Sequence, residues 1–205
     1  MGVRAALFDF GGVLTASPFE QFARYEASAD LPPGFVRRLN GTNPDTNAWA
    51  QFERGQIEVD EFCALFESEA RAAGGTIEAR AVLACLEVEP RPMMLEAVRR
   101  CHERLKTALL TNTTVVHSAD GRLDPLGELF DLVIESTRVG VRKPETRFYE
   151  LALEQLDVAA DEAVFLDDLG VNLKPARDMG MVTIKVDDPE AAIAELEAAV
   201  GFPLR

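Results

Sequence analysis

Four short stretches carry residue types suited to phosphoryl chemistry. Leu7-Phe8-Asp9-Phe10-Gly11-Gly12-Val13-Leu14-Thr15 begins as an apolar run and reaches an acid followed, one residue on, by two glycines. That pattern reads as a buried strand meeting a tight turn. In open α/β sheets the carboxyl ends of strands are where ligands are held. A carboxylate there, beside glycine amides that permit close approach, suits an oxyanion-bearing group. Thr111-Asn112-Thr113 closes the run Ala108-Leu109-Leu110 and offers a hydroxyl and an amide to a phosphate oxygen. The same residues also fit a plain turn or helix cap. Val141-Arg142-Lys143-Pro144 holds Lys143 in a loop, where a fixed ammonium neutralises phosphoryl oxygens, although a solvated lysine at a helix start is the alternative. Phe165-Leu166-Asp167-Asp168-Leu169-Gly170 sets two adjacent carboxylates after an apolar run. Like charges so placed repel unless a cation relieves them. Mg²⁺ takes one or two protein carboxylates, several waters and a substrate phosphate.

The elements that must position these residues alternate. Residues 3–10, 107–111, 132–135, 163–167 and 182–186 read as strands. Helical patterns follow Pro92, Pro144 (expected at a helix's first turn) and Pro189, and another spans 172–179 before Gly180. Alternation of this kind predicts an α/β fold with a Rossmann-like, mostly parallel sheet and helices on both faces. Between Pro18 and about Leu86 strand signals are few. Pro32-Pro33-Gly34, Gly41, Pro44, Gly55 and Gly74-Gly75 punctuate that region into four or five short helices. The expectation is a core of residues 1–16 and 88–205 with an α-helical cap, 17–87, inserted after the first strand.

Composition narrows the partners. The 205 residues carry 47% hydrophobic and 27% charged side chains, an ordinary globular profile. A formal net charge of -14 argues against nucleic acid and against anionic membrane surfaces. No apolar run approaches a membrane span, and the N-terminus has no signal-peptide pattern, so a cytoplasmic location is expected. Cys63, Cys85 and Cys101 are odd in number and widely spaced, which favours buried free thiols over a disulfide or metal site.

Taken in order, Phe8-Asp9-Phe10-Gly11-Gly12-Val13-Leu14, Leu110-Thr111-Asn112, Arg142-Lys143-Pro144 and Leu166-Asp167-Asp168 resemble the four motifs of the haloacid dehalogenase superfamily. The similarity runs nearly end to end. It is strongest toward the branch that includes the N-terminal phosphatase domain of soluble epoxide hydrolase and the equivalent domain of acyl-CoA dehydrogenase fusions. The stretch from Phe165 through Asn172 to Arg177 is especially similar to that branch. The resemblance implies a Mg²⁺-dependent phosphatase acting on a small organic or lipid-like phosphate, with Asp9 as nucleophile and an aspartyl-phosphate intermediate. Thr111 and Lys143 would hold phosphate oxygens, assisted by turn amides at Phe10 and Gly11 and by Asn112. Mg²⁺ would be held by Asp9, the carbonyl of Gly11 and Asp168, with Asp167 and Asn172 supporting that shell. One departure stands out: the phosphatase pattern has a second Asp, a proton donor, where this chain has Gly11. A 2-haloacid dehalogenase and a catalytically weak phosphate-binding module are the rival readings. The pair Asp167-Asp168 favours the phosphatase. Among residues of the expected cap, Phe19, Phe22, Trp49 and Phe52 are candidates to face the site, or else ordinary helix packing. His117 is a candidate substrate contact, or a surface histidine. The chain gives no signal of its oligomeric state.

Overall fold

The computed structural model describes residues 2–112 and 128–205. At its centre lies a five-stranded sheet in the order β3-β2-β1-β4-β5. The strands are β1 Ala5–Phe8, β2 Lys106–Thr111, β3 Leu132–Glu135, β4 Ala163–Asp167 and β5 Val182–Lys185. Every pairing is parallel. β1 and β4 are buried at every position, which explains why they read as continuous apolar runs rather than alternating ones.

Between β1 and β2 come α1 Phe19–Ser28, α2 Phe35–Asn40, α3 Ala48–Glu53, α4 Val59–Ala72 and α5 Ala79–Ala84. They enclose a separate apolar cluster around Phe22, Phe35, Phe52, Phe62, Phe66 and Val82. Phe62 stacks on Phe52 at 4.5 Å and on Phe66 at 5.1 Å between ring centroids, within the range at which aromatic pairs add to their burial energy. Phe52 thus belongs to this helical core, fully buried, and does not face the site. The chain leaving and the chain returning from these helices run side by side. Thr15 bridges Pro90 in antiparallel fashion, Ala16 N–H donates to Glu89 O at 2.9 Å, and Arg91 N–H donates to Leu14 O at 2.7 Å.

The helices that cover the sheet are α6 Pro92–His102, α8 Thr146–Leu156, α9 Gly170–Asp178 and α10 Pro189–Val200, with a four-residue α7 at Ser136–Val139. Successive β1 residues point to opposite faces. Ala6 and Phe8 join Met94, Val98, Ile193 and Leu196 in one cluster, while Ala5 and Leu7 join Phe148, Tyr149 and Leu173 in the other. The α/β fold is therefore the one expected.

Several local boundaries shift by one or two residues from the sequence reading, and three differences are structural. β1 ends at Phe8, not residue 10, because the chain enters a single wide helical turn, Phe10–Leu14, closed by Thr15 N–H to Phe10 O at 3.2 Å. Pro144 lies before α8 rather than in its first turn; Glu145 N–H donates to Arg142 O at 2.8 Å, making a separate turn there. α7 was not anticipated, since four residues are too few to show a helical period. All three cysteines are free, but only Cys101 is buried, and Cys63 and Cys85 are partly exposed. Among the described residues, no helix is long and apolar enough to cross a membrane.

Candidate active site

The site is built by sheet register. Phe8 pairs with Leu166 across β1 and β4, and Asp9 N–H donates to Leu166 O at 2.9 Å just past that pair. Asp9 and Asp167 thus leave adjacent strands side by side. Two carboxylates so close would repel, and each is buried. The relief is Lys143, itself 1% exposed. Its Nζ lies 2.7 Å from Asp9 Oδ1 and 2.8 Å from Asp167 Oδ2, and donates to Leu110 O at 2.9 Å. An ammonium has three protons, so all are in use. Burial works to lower the Lys143 pKa, but Asp167 and Asp9 overcome it and the net direction is upward, so the lysine stays charged.

Around this centre each group is itself held. Asp167 Oδ1 accepts from Leu169 N–H at 2.8 Å and from Asn172 Nδ2 at 3.1 Å, and Oδ2 accepts from the same Asn172 amide at 3.1 Å. Asp167 is therefore bonded both to Asn172 and to the lysine. Asn112 grips the peptide of Lys143 from both sides: its Oδ1 accepts from Lys143 N–H and its Nδ2 donates to Lys143 O, each at 2.9 Å. Thr111 ends β2, buried, and lines the same cavity as Asp9. Phe10 N–H donates to Asp9 Oδ1 at 2.6 Å.

The two glycines of the turn differ. Gly12 has φ +78°, and a Cβ there would lie 2.2 Å from Asp168 Oδ2, so only glycine fits. Gly11 has φ -71° and ψ 128°, a conformation open to any residue, and a Cβ there meets nothing within 4 Å. Nothing in the backbone requires glycine at position 11.

Oxygens of Asp9, Asp167 and Asp168 lie within 4.8 Å of one another. Three carboxylates face one ammonium, and the excess shows in the titration of Asp9 and Asp168. Burial holds the Asp9 carboxyl well above its usual range, with Asp167 and Asp168 adding to the rise and Lys143 opposing it. Burial and the charge of Asp167 push Asp168 up to about 6. Asp9 and Asp168 line the cavity while Asp167 does not. The hard, anionic, oxygen-only donor set at this point fits a divalent cation of the magnesium type.

Above the carboxylates opens a cavity of about 210 Å³. Phe10, Phe19, Phe22, Trp49, Leu86 and Val88 make its walls largely apolar. Three polar side chains from the helices and the core were not anticipated as part of this environment. Glu53 lines the cavity from α3, 8% exposed, and accepts from Trp49 Nε1 at 3.0 Å and from Arg142 Nη1 at 2.7 Å. Burial raises its pKa against the pull of Arg142. Asn40 Oδ1, at the end of α2, is buried without a hydrogen-bond partner. Arg142 stood in plain view beside Lys143, but Glu53 and Asn40 lie in helices whose sequence gave no reason to single them out. His117 and Thr113 lie outside the described residues.

Comparison with known proteins agrees with this geometry. The profile of the haloacid dehalogenase-like hydrolases matches residues 3–180. The chain is 37% identical over 207 residues to acyl-CoA dehydrogenase family member 10 of Mus musculus, covering 98% of this chain and 19% of that protein. It is 34% identical over 221 residues to bifunctional epoxide hydrolase 2 of Sus scrofa, covering 100% of this chain and 40% of that protein. It thus spans well under half the length of either relative. Sesquiterpene phosphatase astK of Aspergillus oryzae is 32% identical over 203 residues, with 97% of both chains aligned. Among solved structures, a HAD family enzyme from Bacteroides thetaiotaomicron, in complex with magnesium and inorganic phosphate, superposes with a TM-score of 0.64 at 20% identity, covering 90% of this chain and 94% of that one. By profile, by full-length relatives and by fold, the chain belongs to the haloacid dehalogenase-like hydrolase family.

Proposed function

We propose that this hydrolase is a Mg²⁺-dependent phosphomonoesterase acting on a small, largely apolar organic phosphate. The observation that carries the reading is the placement of Asp9, exposed to the cavity on one side and clamped by Lys143 on the other, beneath walls of aromatic and aliphatic side chains. Asp9, Asp168 and the carbonyl of Gly11 would hold the cation, which when bound offsets the excess carboxylate charge and neutralises phosphate oxygens.

An Asp9 carboxylate oxygen attacks phosphorus in line, and the phosphorus–ester oxygen bond breaks to release the alcohol. Water then attacks the aspartyl-phosphate, the bond to Asp9 breaks, and inorganic phosphate leaves. Lys143 favours the ionised, attacking form of Asp9 and orients it, since its ammonium touches the same carboxyl group. Thr111 Oγ1, which lines the cavity beside Asp9, and the amide of Gly11 would hold phosphate oxygens at this end, whereas the Phe10 amide is already given to Asp9 Oδ1. Asn112, whose side chain is spent on the Lys143 peptide, acts by fixing that lysine. No carboxylic acid stands at position 11 to protonate the leaving group, so turnover favours good leaving groups such as aryl and acyl phosphates.

The apolar walls and the likeness to a sesquiterpene phosphatase both support a hydrocarbon-rich leaving group. We place the helical segment 17–87 as a cap that selects it. A panel of phosphate esters with Mg²⁺ and with EDTA tests the reading on wild type and Asp9→Asn. Expected is phosphate release that requires the cation and is lost in Asp9→Asn. Metal-independent halide release from a 2-haloacid would replace it with dehalogenation. Phosphate-analogue binding with no turnover of any ester would replace it with a binding module.

A further inference from the structure

Two ion pairs of opposite polarity join the helical insertion to the loop that carries Lys143. From the insertion, Glu53 reaches Arg142 at 2.7 Å; from the core, Glu145 reaches Arg54 at 2.8 Å. The acids and bases are thus exchanged between the two sides, on neighbouring residues 53 and 54 and on residues 142 and 145, which flank the lysine. Both members of the first pair are nearly enclosed, with side chains 12% and 11% exposed. Each arginine also donates to a carbonyl of the insertion's loop before α3: Arg142 to Pro44 O, and Arg54 to Asp45 O at 2.8 Å. Just beyond, Gly55 approaches α7 so closely that a Cβ would lie 2.8 Å from Thr137 O.

The target of Glu53 matters more than the number of bonds. Its Oε2 accepts from Arg142 Nη1 and from Asn112 Nδ2, the latter at 3.2 Å. Asn112 is the residue that grips the Lys143 peptide on both its N–H and its C=O. The Arg142 guanidinium also points a hydrogen bond at Lys143 O, at 3.4 Å. One carboxylate from α3 therefore anchors both groups that hold the lysine backbone, and that lysine in turn holds Asp9. Exposed ion pairs contribute little, but enclosed ones that share a hydrogen-bond network act as a unit.

We propose that Glu53 is a positioning residue for Lys143, and that the network through Asn112 and Arg142 makes correct placement of the lysine depend on the helical insertion being seated against the core. Seating the insertion and arming the nucleophile are then a single event. Were the insertion to lift from the core, Glu53 would leave with it, and Asn112 and Arg142 would lose the acceptor they share.

The inference rests on the phosphatase reading of Asp9, so its test has a readout that does not need turnover. The Lys143 amide donates to Asn112 Oδ1, and its hydrogen exchange reports how firmly the loop is held. Glu53→Gln and Glu53→Ala are expected to speed exchange at Lys143 by roughly 10- to 100-fold, the range for losing a hydrogen bond to a charged group. Amides of β1 and β4 should keep their protection, showing that the fold is intact. Arg142→Ala should do the same, and the double variant should be no worse than either single one. With acetyl phosphate and Mg²⁺, whose organic part is too small to touch α3, kcat should fall by a similar factor with KM nearly constant, and Glu53→Asp should restore part of it. Unchanged Lys143 exchange in Glu53→Ala would overturn the proposal. So would a defect confined to bulky substrates, which would make Glu53 a pocket wall, or additive effects in the cycle. If wild type hydrolyses no phosphate ester while the exchange coupling holds, the functional reading fails and the coupling stands.

Discussion

Restoring a carboxyl group at position 11 is the most direct test of the chemistry. Gly11→Asp should be well tolerated, because the backbone there lies at φ -71°, ψ 128° and the space beyond the Cα is open. The position lines the cavity along with Asp9, so the new group is delivered to the reacting end. It arrives in a cluster that already holds three carboxylates against one ammonium. One like charge roughly 6 Å away, at an effective dielectric of about 20, costs about 3 kcal/mol. That repulsion raises the newcomer's own pKa by about two units, toward neutrality, which is what a proton donor requires. General acid–base catalysis contributes about 10²–10⁴-fold. Gly11→Asp should therefore raise kcat on a simple alkyl phosphate by about 10²-fold or more, with little change on an aryl phosphate whose leaving group needs no proton. The assay is phosphate release under saturating Mg²⁺ across esters of graded leaving-group pKa, in wild type and variant. The wild-type plot should be steep and the variant's flatter. A folded, Mg²⁺-stabilised variant whose alkyl-phosphate turnover matches wild type would refute the account of this position.

Three further outcomes follow from the same geometry. Gly12→Ala should disable the site where Gly11 substitutions do not, since its Cβ would meet Asp168 Oδ2 at 2.2 Å and the residue sits at φ +78°; loss of Mg²⁺-induced thermal stabilisation, measured by calorimetry, checks this. Asp168 titrates near 6 in the metal-free fold against 3.8 as its ordinary value, so the folded state binds the extra proton. Its contribution thus falls as pH rises from about 4 to 6, by about 3 kcal/mol, and denaturation of EDTA-treated protein across that window should show the loss, with Mg²⁺ recovering it at pH 7. Asn40→Leu removes a buried carbonyl that has no partner; relieving such a group is worth about 1–3 kcal/mol, and a Tm increase in the ligand-free protein is expected.

The sheet and its order of elements were legible because β1 and β4 are buried on both faces and so carry unbroken apolar runs. Asp9, Thr111, Lys143, Asp167 and Asp168 were legible because each stands at the end of such a run or beside a proline. What could not be read was which partners these residues already have. Lys143 spends all three protons within the protein, and Asn112 is a clamp on its backbone; neither follows from spacing. Glu53 was hidden because its partners lie 59 and 89 positions away. Phe52 and Trp49 share a helix and a residue class, yet one is stacked in the helical core and the other lines the cavity. Three residues of separation on an α-helix turn a side chain by about 300°, and only the packed neighbours decide which one meets the cavity.

Asp9 and Asp167 are spaced by the hydrogen bonds between β1 and β4, a repeat of about 4.7–4.9 Å that no side chain can alter. The carboxylate end of the sheet is therefore a ruler with fixed graduations. The five inserted helices keep a core of their own, joined to the sheet by two paired linkers and the braces around Glu53 and Arg54. Substitutions within that core can redraw the walls at Phe19, Phe22 and Trp49 without moving a single graduation. Divergence in what such a hydrolase accepts can then accumulate in the inserted third of the chain while the rest stays still.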